Sequence, residues 1–145
     1  MGFLGKLFGG EKELPPLDPA SPGAKRIDAQ RATLETFAAK LRDPVELAPG
    51  PHAIYAYIGH PPDRFGIAWF EGDGQEHNLK TLVQKKKLTV RQVNTLSAHL
   101  RTIYEKHKDE PRYGATIGAK KVKVILSDAM ERELHDVINA DVGTE

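Results

Sequence analysis

Cysteine is absent from all 145 residues. Its absence excludes a disulfide framework, thiolate catalysis and thiolate-held zinc or iron–sulfur centres, and it fits a reducing compartment. Long apolar runs are missing too. Nothing approaches the roughly 18 residues of a membrane-spanning helix, and the N-terminus lacks the apolar core of a secretion signal. The expected location is cytoplasmic. Phosphate-cradling loops are lacking as well: Gly114–Gly118 (GATIG) is not followed by Lys-Ser or Lys-Thr, and Gly72–Gly74 reads as a turn. The six histidines, His52, His60, His77, His99, His107 and His135, form no H-x-x-x-H or H-E-x-x-H motif. No aspartate-rich calcium loop is present either. The one helical pairing with useful spacing is Glu131 with His135, four apart. Neither a metal site nor a cofactor is expected, and no internal repeat is visible.

What is present describes one globular unit. Hydrophobic residues make up 39% and charged residues 28%, too apolar for a disordered chain, and the length suits a single domain with its own core. Pro51–Glu71 (PHAIYAYIGHPPDRFGIAWFE) is the organising stretch. Its two apolar runs, His52–Ile58 and Phe65–Phe70, flank a Pro61-Pro62 turn and read as a β-hairpin. Neither hairpin face is clearly polar. After a tight turn at Gly72–Gln75, His77–Val83 reads as a weaker third strand.

Helices flank this meander. Ser21-Pro22 is a helix start, and Pro22–Arg42 carries Ile27, Leu34, Phe37, Ala38 and Leu41 on one stripe before Asp43-Pro44 stops it. Val45–Gly50 reads as a connector. Thr89 and Gln92 form a capping box for a helix over Val90–Lys106. Tyr113–Ile117 and Lys121–Leu126 read as extended around Gly118, and Ser127 with Asp128 caps a last helix over Asp128–Ala140. The expected fold class is therefore α+β: an antiparallel β-meander of about three to five strands, with two or three helices on one face, in the order α-βββ-α-β-α. Residues 1–10 are set apart as a hydrophobic segment, 11–23 as a Pro-rich linker or extended arm, and 24–141 as the single α+β domain.

Three groups of residues are candidates for function. In MGFLGKLFGG, Phe3, Leu4, Leu7 and Phe8 are spaced to share one helical face, which suits docking into a partner groove. The bland alternative is an N-terminus packed on the core. Membrane-surface contact through four side chains and one lysine is marginal, and Lys6 stands where a myristoylation site needs Ser or Thr. The second group is basic: Lys85, Lys86, Lys87, Arg91, Lys120, Lys121 and Lys123. Gln84–Lys123 holds eleven Lys/Arg against three acids, while Val124–Glu145 holds one Arg against six acids. Lysines ahead of the Val90 helix oppose its macrodipole, which points to a partner; the bland alternative pairs them with the acidic last helix. Arg91, Gln92 and Asn94 suit the reading helix of a helix-turn-helix, but the preceding segment reads as strand, so a first helix is missing. The third group is His60, Asp63 and Arg64 on the hairpin loop, where a His beside a carboxylate suits a general base but no nucleophile accompanies it.

The expected function is a non-enzymatic adaptor or regulatory protein that binds a protein partner through the apolar N-terminal segment and the basic surface. The alternative is nucleic-acid binding through a Lys85–Lys87 and Lys120–Lys123 patch. Removing residues 1–10 should weaken the complex with a partner and leave the thermal melting temperature nearly unchanged. A large loss of stability in that deletion would place the segment in the core instead.

Overall fold

The computed structural model describes residues 14–142. The proposed docking residues Phe3, Leu4, Leu7 and Phe8 lie outside the described residues. In chain order the elements are α1 (Pro22–Ala29), α2 (Arg31–Ala39), β1 (Val45–Pro49), β2 (Ile54–His60), β3 (Arg64–Phe70) and β4 (His77–Asn78). They continue with α3 (Leu79–Lys86), α4 (Val90–Lys106), β5 (Arg112–Ile117), β6 (Lys120–Ile125) and α5 (Asp128–Val142).

The six strands form one mixed sheet in the order β4-β3-β2-β1-β6-β5. The hairpin of Pro51–Glu71 is there, with His60 paired to Arg64 across the turn and Ile54 to Phe70 at the far end. The sheet is not a meander throughout. β1 runs antiparallel to β2 but parallel to β6, which makes β1 a central strand rather than a connector. Two prolines disguised it in sequence: Pro44 precedes the strand, and Pro49 is its last residue, where a missing ladder donor does little harm.

Both sheet faces are covered, not one. Val45 and Leu47 of β1, Ile54 and Ala56 of β2, Ala68 and Phe70 of β3, and Val122 and Val124 of β6 pack with Ile27 of α1 and Leu34 and Phe37 of α2. The alternate residues Ala48, Tyr55, Tyr57, Ile67, Trp69 and Ile125 pack with Leu96, Leu100 and Ile103 of α4 and Met130, Leu134 and Ile138 of α5. The period of two sends successive side chains to opposite layers, and neither layer is solvent, so the strands read as apolar on both sides. The fold is α+β, and the described residues hold five helices.

Local hydrogen bonds explain the other departures. The helix expected over Pro22–Arg42 is split at Gln30, whose backbone leaves helical geometry (φ −119°, ψ 23°). The Gln30 side chain turns instead to the exit of β3, accepting from Gly72 N (3.1 Å) and donating to Phe70 O (3.4 Å). The third strand shrinks to His77–Asn78 because Asn78 caps a helix. Thr81 N donates to Asn78 Oδ1 (2.9 Å) and Asn78 N donates to Thr81 Oγ1 (3.2 Å), a reciprocal box that starts α3. Ser21 caps α1 and the Thr89–Gln92 box caps α4 as the sequence implies. Ahead of α1, an extended arm lies on the outer edge of β5: Gly114 N donates to Pro15 O (2.8 Å) and Leu17 N to Gly114 O (2.9 Å). Covering an edge strand in this way blunts pairing with other chains.

Glu131 of α5, which has no solvent exposure, ties that helix to the sheet. Its Oε2 accepts from His52 N (2.7 Å) and Ala53 N (2.8 Å), and its Oε1 lies 3.1 Å from His52 Nδ1. The β1–β2 turn is thereby closed onto α5, helped by Gly50 N donating to Ala53 O (3.1 Å). A Cβ on Gly50 would stand 2.2 Å from Glu131 Cγ, so glycine is required there by space. Glu131→Ala strands one buried and one half-buried N–H donor and should cost about 2–3 kcal/mol in urea unfolding. Gly50→Ala should cost about 1–3 kcal/mol by overpacking. In the double variant the costs should fall short of their sum, because one clash disappears with the side chain that causes it.

Candidate functional site

α3, the elbow after it and the start of α4 carry the exposed cations Lys85, Lys86, Lys87 and Arg91. α3 has no fully buried residue; Leu79 and Leu82 rest half-buried against the α4–α5 layer. It ends at Lys87, whose backbone is left-handed (φ 55°, ψ 49°), with Leu88 N donating to Val83 O (3.3 Å). A lysine stands where glycine is the usual residue. Three residues, Lys87, Leu88 and Thr89, join the eight-residue α3 to α4. A helix therefore precedes α4 where the sequence reading had a strand. Val90, Arg91, Gln92, Asn94 and Thr95 are all exposed at the start of α4, and burial begins at Leu96. Between Glu76 and Glu105 the chain has no acid and six cations: Lys80, Lys85, Lys86, Lys87, Arg91 and Arg101.

This geometry changes the argument made from charge. Lys85 and Lys86 occupy the last turn of α3, where cations complement the helix dipole, so they do not oppose a helix as the sequence suggested. Several acids of α5 pair elsewhere: Glu133 with Lys106 (2.7 Å) and His107 (3.0 Å), Asp141 with His99 (2.7 Å), Asp128 with Arg26 (3.5 Å). Among the described residues no ion pair reaches Lys80, Lys85, Lys87 or Arg91.

The two lysine groups are not one patch. Lys120, Lys121 and Lys123 lie on β6, while α3 packs on β3 and β4. Four strand spacings, about 19 Å, separate β6 from β4. Lys120 Nζ also donates to Leu41 O (3.4 Å), while Lys121 and Lys123 are exposed.

On the hairpin loop, His60, Asp63 and Arg64 are exposed, and no hydrogen bond or ion pair joins their side chains. The loop is held from below by Arg101, which donates to Pro62 O (2.6 Å) and lies over the Phe65 ring. Glu131 and His135 do not form a ligand pair. Glu131 bonds the β1–β2 turn, and the His135 ring stacks on His52 at 4.0 Å.

Sequence reasoning passed over one cluster. Across the β3–β4 turn, Glu71, Asp73 and His77 each bring a donor atom within 4.8 Å of the others. His77 Nε2 is 2.9 Å from Asp73 Oδ2 and 3.8 Å from Glu71 Oε1. The hydrogen bond with His77, joined by the Gln75 N–H, holds the Asp73 carboxyl below its ordinary value. The sequence signal was E-x-D-x-x-x-H around a glycine turn.

The remaining polar clusters join elements rather than face a cavity. Tyr57 donates to Leu100 O (2.7 Å), and burial raises its hydroxyl far out of the working range. Tyr104 donates to Glu46 Oε2 (2.8 Å), and Arg112 Nε lies 3.4 Å from Glu46 Oε1. His107 sits between Glu110 and Glu133, linking α4, the β5 approach and α5.

No protein-family model, curated protein or solved structure gives a significant match to the chain.

The Glu133 carboxyl has a consequence for stability against pH. Burial would raise it, but hydrogen bonds from Lys106 and His107, with their charges, outweigh that and hold it below its ordinary value. A carboxyl depressed in the fold stabilises above its unfolded pKa, and that gain is lost as pH falls through the folded value. Glu133→Gln should therefore flatten the acid limb of melting temperature against pH. The variant and the parent should differ most near neutrality and converge once the pH has fallen through the depressed value.

Proposed function

We propose that the protein is a non-enzymatic regulatory protein that binds duplex nucleic acid through α3 and α4. One observation carries this reading: an eight-residue helix, a three-residue left-handed elbow and a second helix with its first residues projecting, all within an acid-free cationic stretch. Arg91, Gln92 and Asn94, exposed at the start of α4, would contact base edges. Lys80, Lys85 and Lys87 supply phosphate contacts beside them. The β6 lysines are not part of this surface.

A second reading is an adaptor that holds an acidic protein partner on the same elbow. It is favoured by Val90, which is 77% exposed among the cations and offers an apolar centre with a charged rim. Here the apolar N-terminal segment would add a further anchor.

Titration of the purified chain against labelled duplex DNA separates the two. Nucleic-acid binding predicts an affinity that falls with salt at a log–log slope of about −3 to −4, from about four neutralised phosphates. Lys87→Gly should reduce that slope by about one while leaving stability equal or higher, because glycine relieves the left-handed backbone. Absence of binding at low salt would remove the nucleic-acid reading. A protein captured from the native cell that survives nuclease, and is lost in Arg91→Glu, would then establish the adaptor.

A further inference from the structure

We infer that the β3–β4 turn is a binding site for a borderline divalent transition-metal cation such as Zn²⁺ or Ni²⁺, with Glu71, Asp73 and His77 as its protein ligands. This departs from the metal-free expectation of the sequence, and it is independent of what the elbow binds.

The donor set is mixed, two carboxylate oxygens and one imidazole nitrogen, which suits these cations better than an all-oxygen set suited to Ca²⁺ or Mg²⁺. Spacing is the second ground. Ligands about 2.0–2.1 Å from a metal stand about 2.9 Å apart across an octahedral edge and about 3.4 Å across a tetrahedral one. The separations of 2.9 Å and 3.8 Å to His77 Nε2 bracket these edges. All three donors lie within 4.8 Å of one another.

Two of the ligands are aimed by groups outside the set. His77 pairs with Trp69 across the β3–β4 ladder, and the Trp69 indole lies parallel to its ring at 6.1 Å and 15°. Trp69 Nε1 donates to Glu71 Oε2 (3.2 Å), which leaves Oε1 turned towards His77. A ligand oriented through its other atom is the arrangement that metal sites use to fix geometry. Among the described residues neither Glu71 nor Asp73 has a Lys or Arg partner; the imidazole alone faces both. With three protein ligands the remaining positions are open to water or to another ligand.

The chain has a single tryptophan, and it is the one beside this site. Tag-free protein titrated with Ni²⁺ should show saturable quenching of Trp69 fluorescence with one site per chain and micromolar affinity, and Zn²⁺ should compete. His77→Ala should weaken binding about tenfold or more. Asp73→Asn should do so as well, and it keeps the acceptor for Gln75 N (3.0 Å), so the turn itself is preserved. His52→Ala, at the separate imidazole stack, should leave the titration unchanged. Non-saturable quenching up to millimolar metal, or equal affinity in Asp73→Asn and the parent, overturns the site.

Discussion

A carboxylate sealed from solvent sets the geometry of this domain. Glu131 reaches from α5 to the turn between β1 and β2, and it is tolerable there only because two backbone N–H groups and an imidazole receive it. That one contact aligns the last helix with the centre of the sheet and leaves no room for a side chain at residue 50. Its charge also reaches Tyr55: burial chiefly, then Glu131, drives that hydroxyl far up, so it stays neutral within its layer. From this point the sheet extends both ways, through β2 and β3 on one side and through β6 and β5 on the other.

The frame is unevenly secured. β1 is hydrogen-bonded on both edges and packed on both faces, whereas α3 hangs from a two-residue strand with no fully buried side chain. Elements with few buried apolar contacts open locally at low free energy. The cationic elbow is built on that lightly seated helix, while α4 runs from the elbow into the core at Leu96, Leu100 and Ile103. A lightly held cationic helix is thus coupled to one anchored in the core. The β3–β4 turn, with its His77 and two carboxylates, leads directly into the same helix.

Much of this was legible in the residues. The Pro51–Glu71 hairpin, both ends of α4 and the cap of the last helix follow from alternation, the Thr89–Gln92 box and Ser127, whose Oγ accepts from Met130 N (3.1 Å). β1 was hidden because only five residues lie between turn signals, and because a strand buried on both faces shows no alternation. α3 was hidden because LKTLVQKK has too few apolar residues to declare a period, and the decisive signal was the side chain of Asn78. The lysines were visible as a cluster, but their meaning turned on whether they begin one helix or end another. Glu71, Asp73 and His77 converge only once the chain reverses at Gly72–Gly74, which spacing alone did not reveal.

A rigid, doubly covered sheet thus carries a lightly held helix, α3, at its cationic edge. Residue-resolved hydrogen exchange of the free protein tests it most directly. The account predicts that Leu47, Ala48, Tyr55 and Tyr57 exchange only through global unfolding, while amides of Leu82–Lys86 exchange through local opening, faster by orders of magnitude. Exchange in β1 as fast as in α3, or α3 protected as well as the central strands, would contradict it.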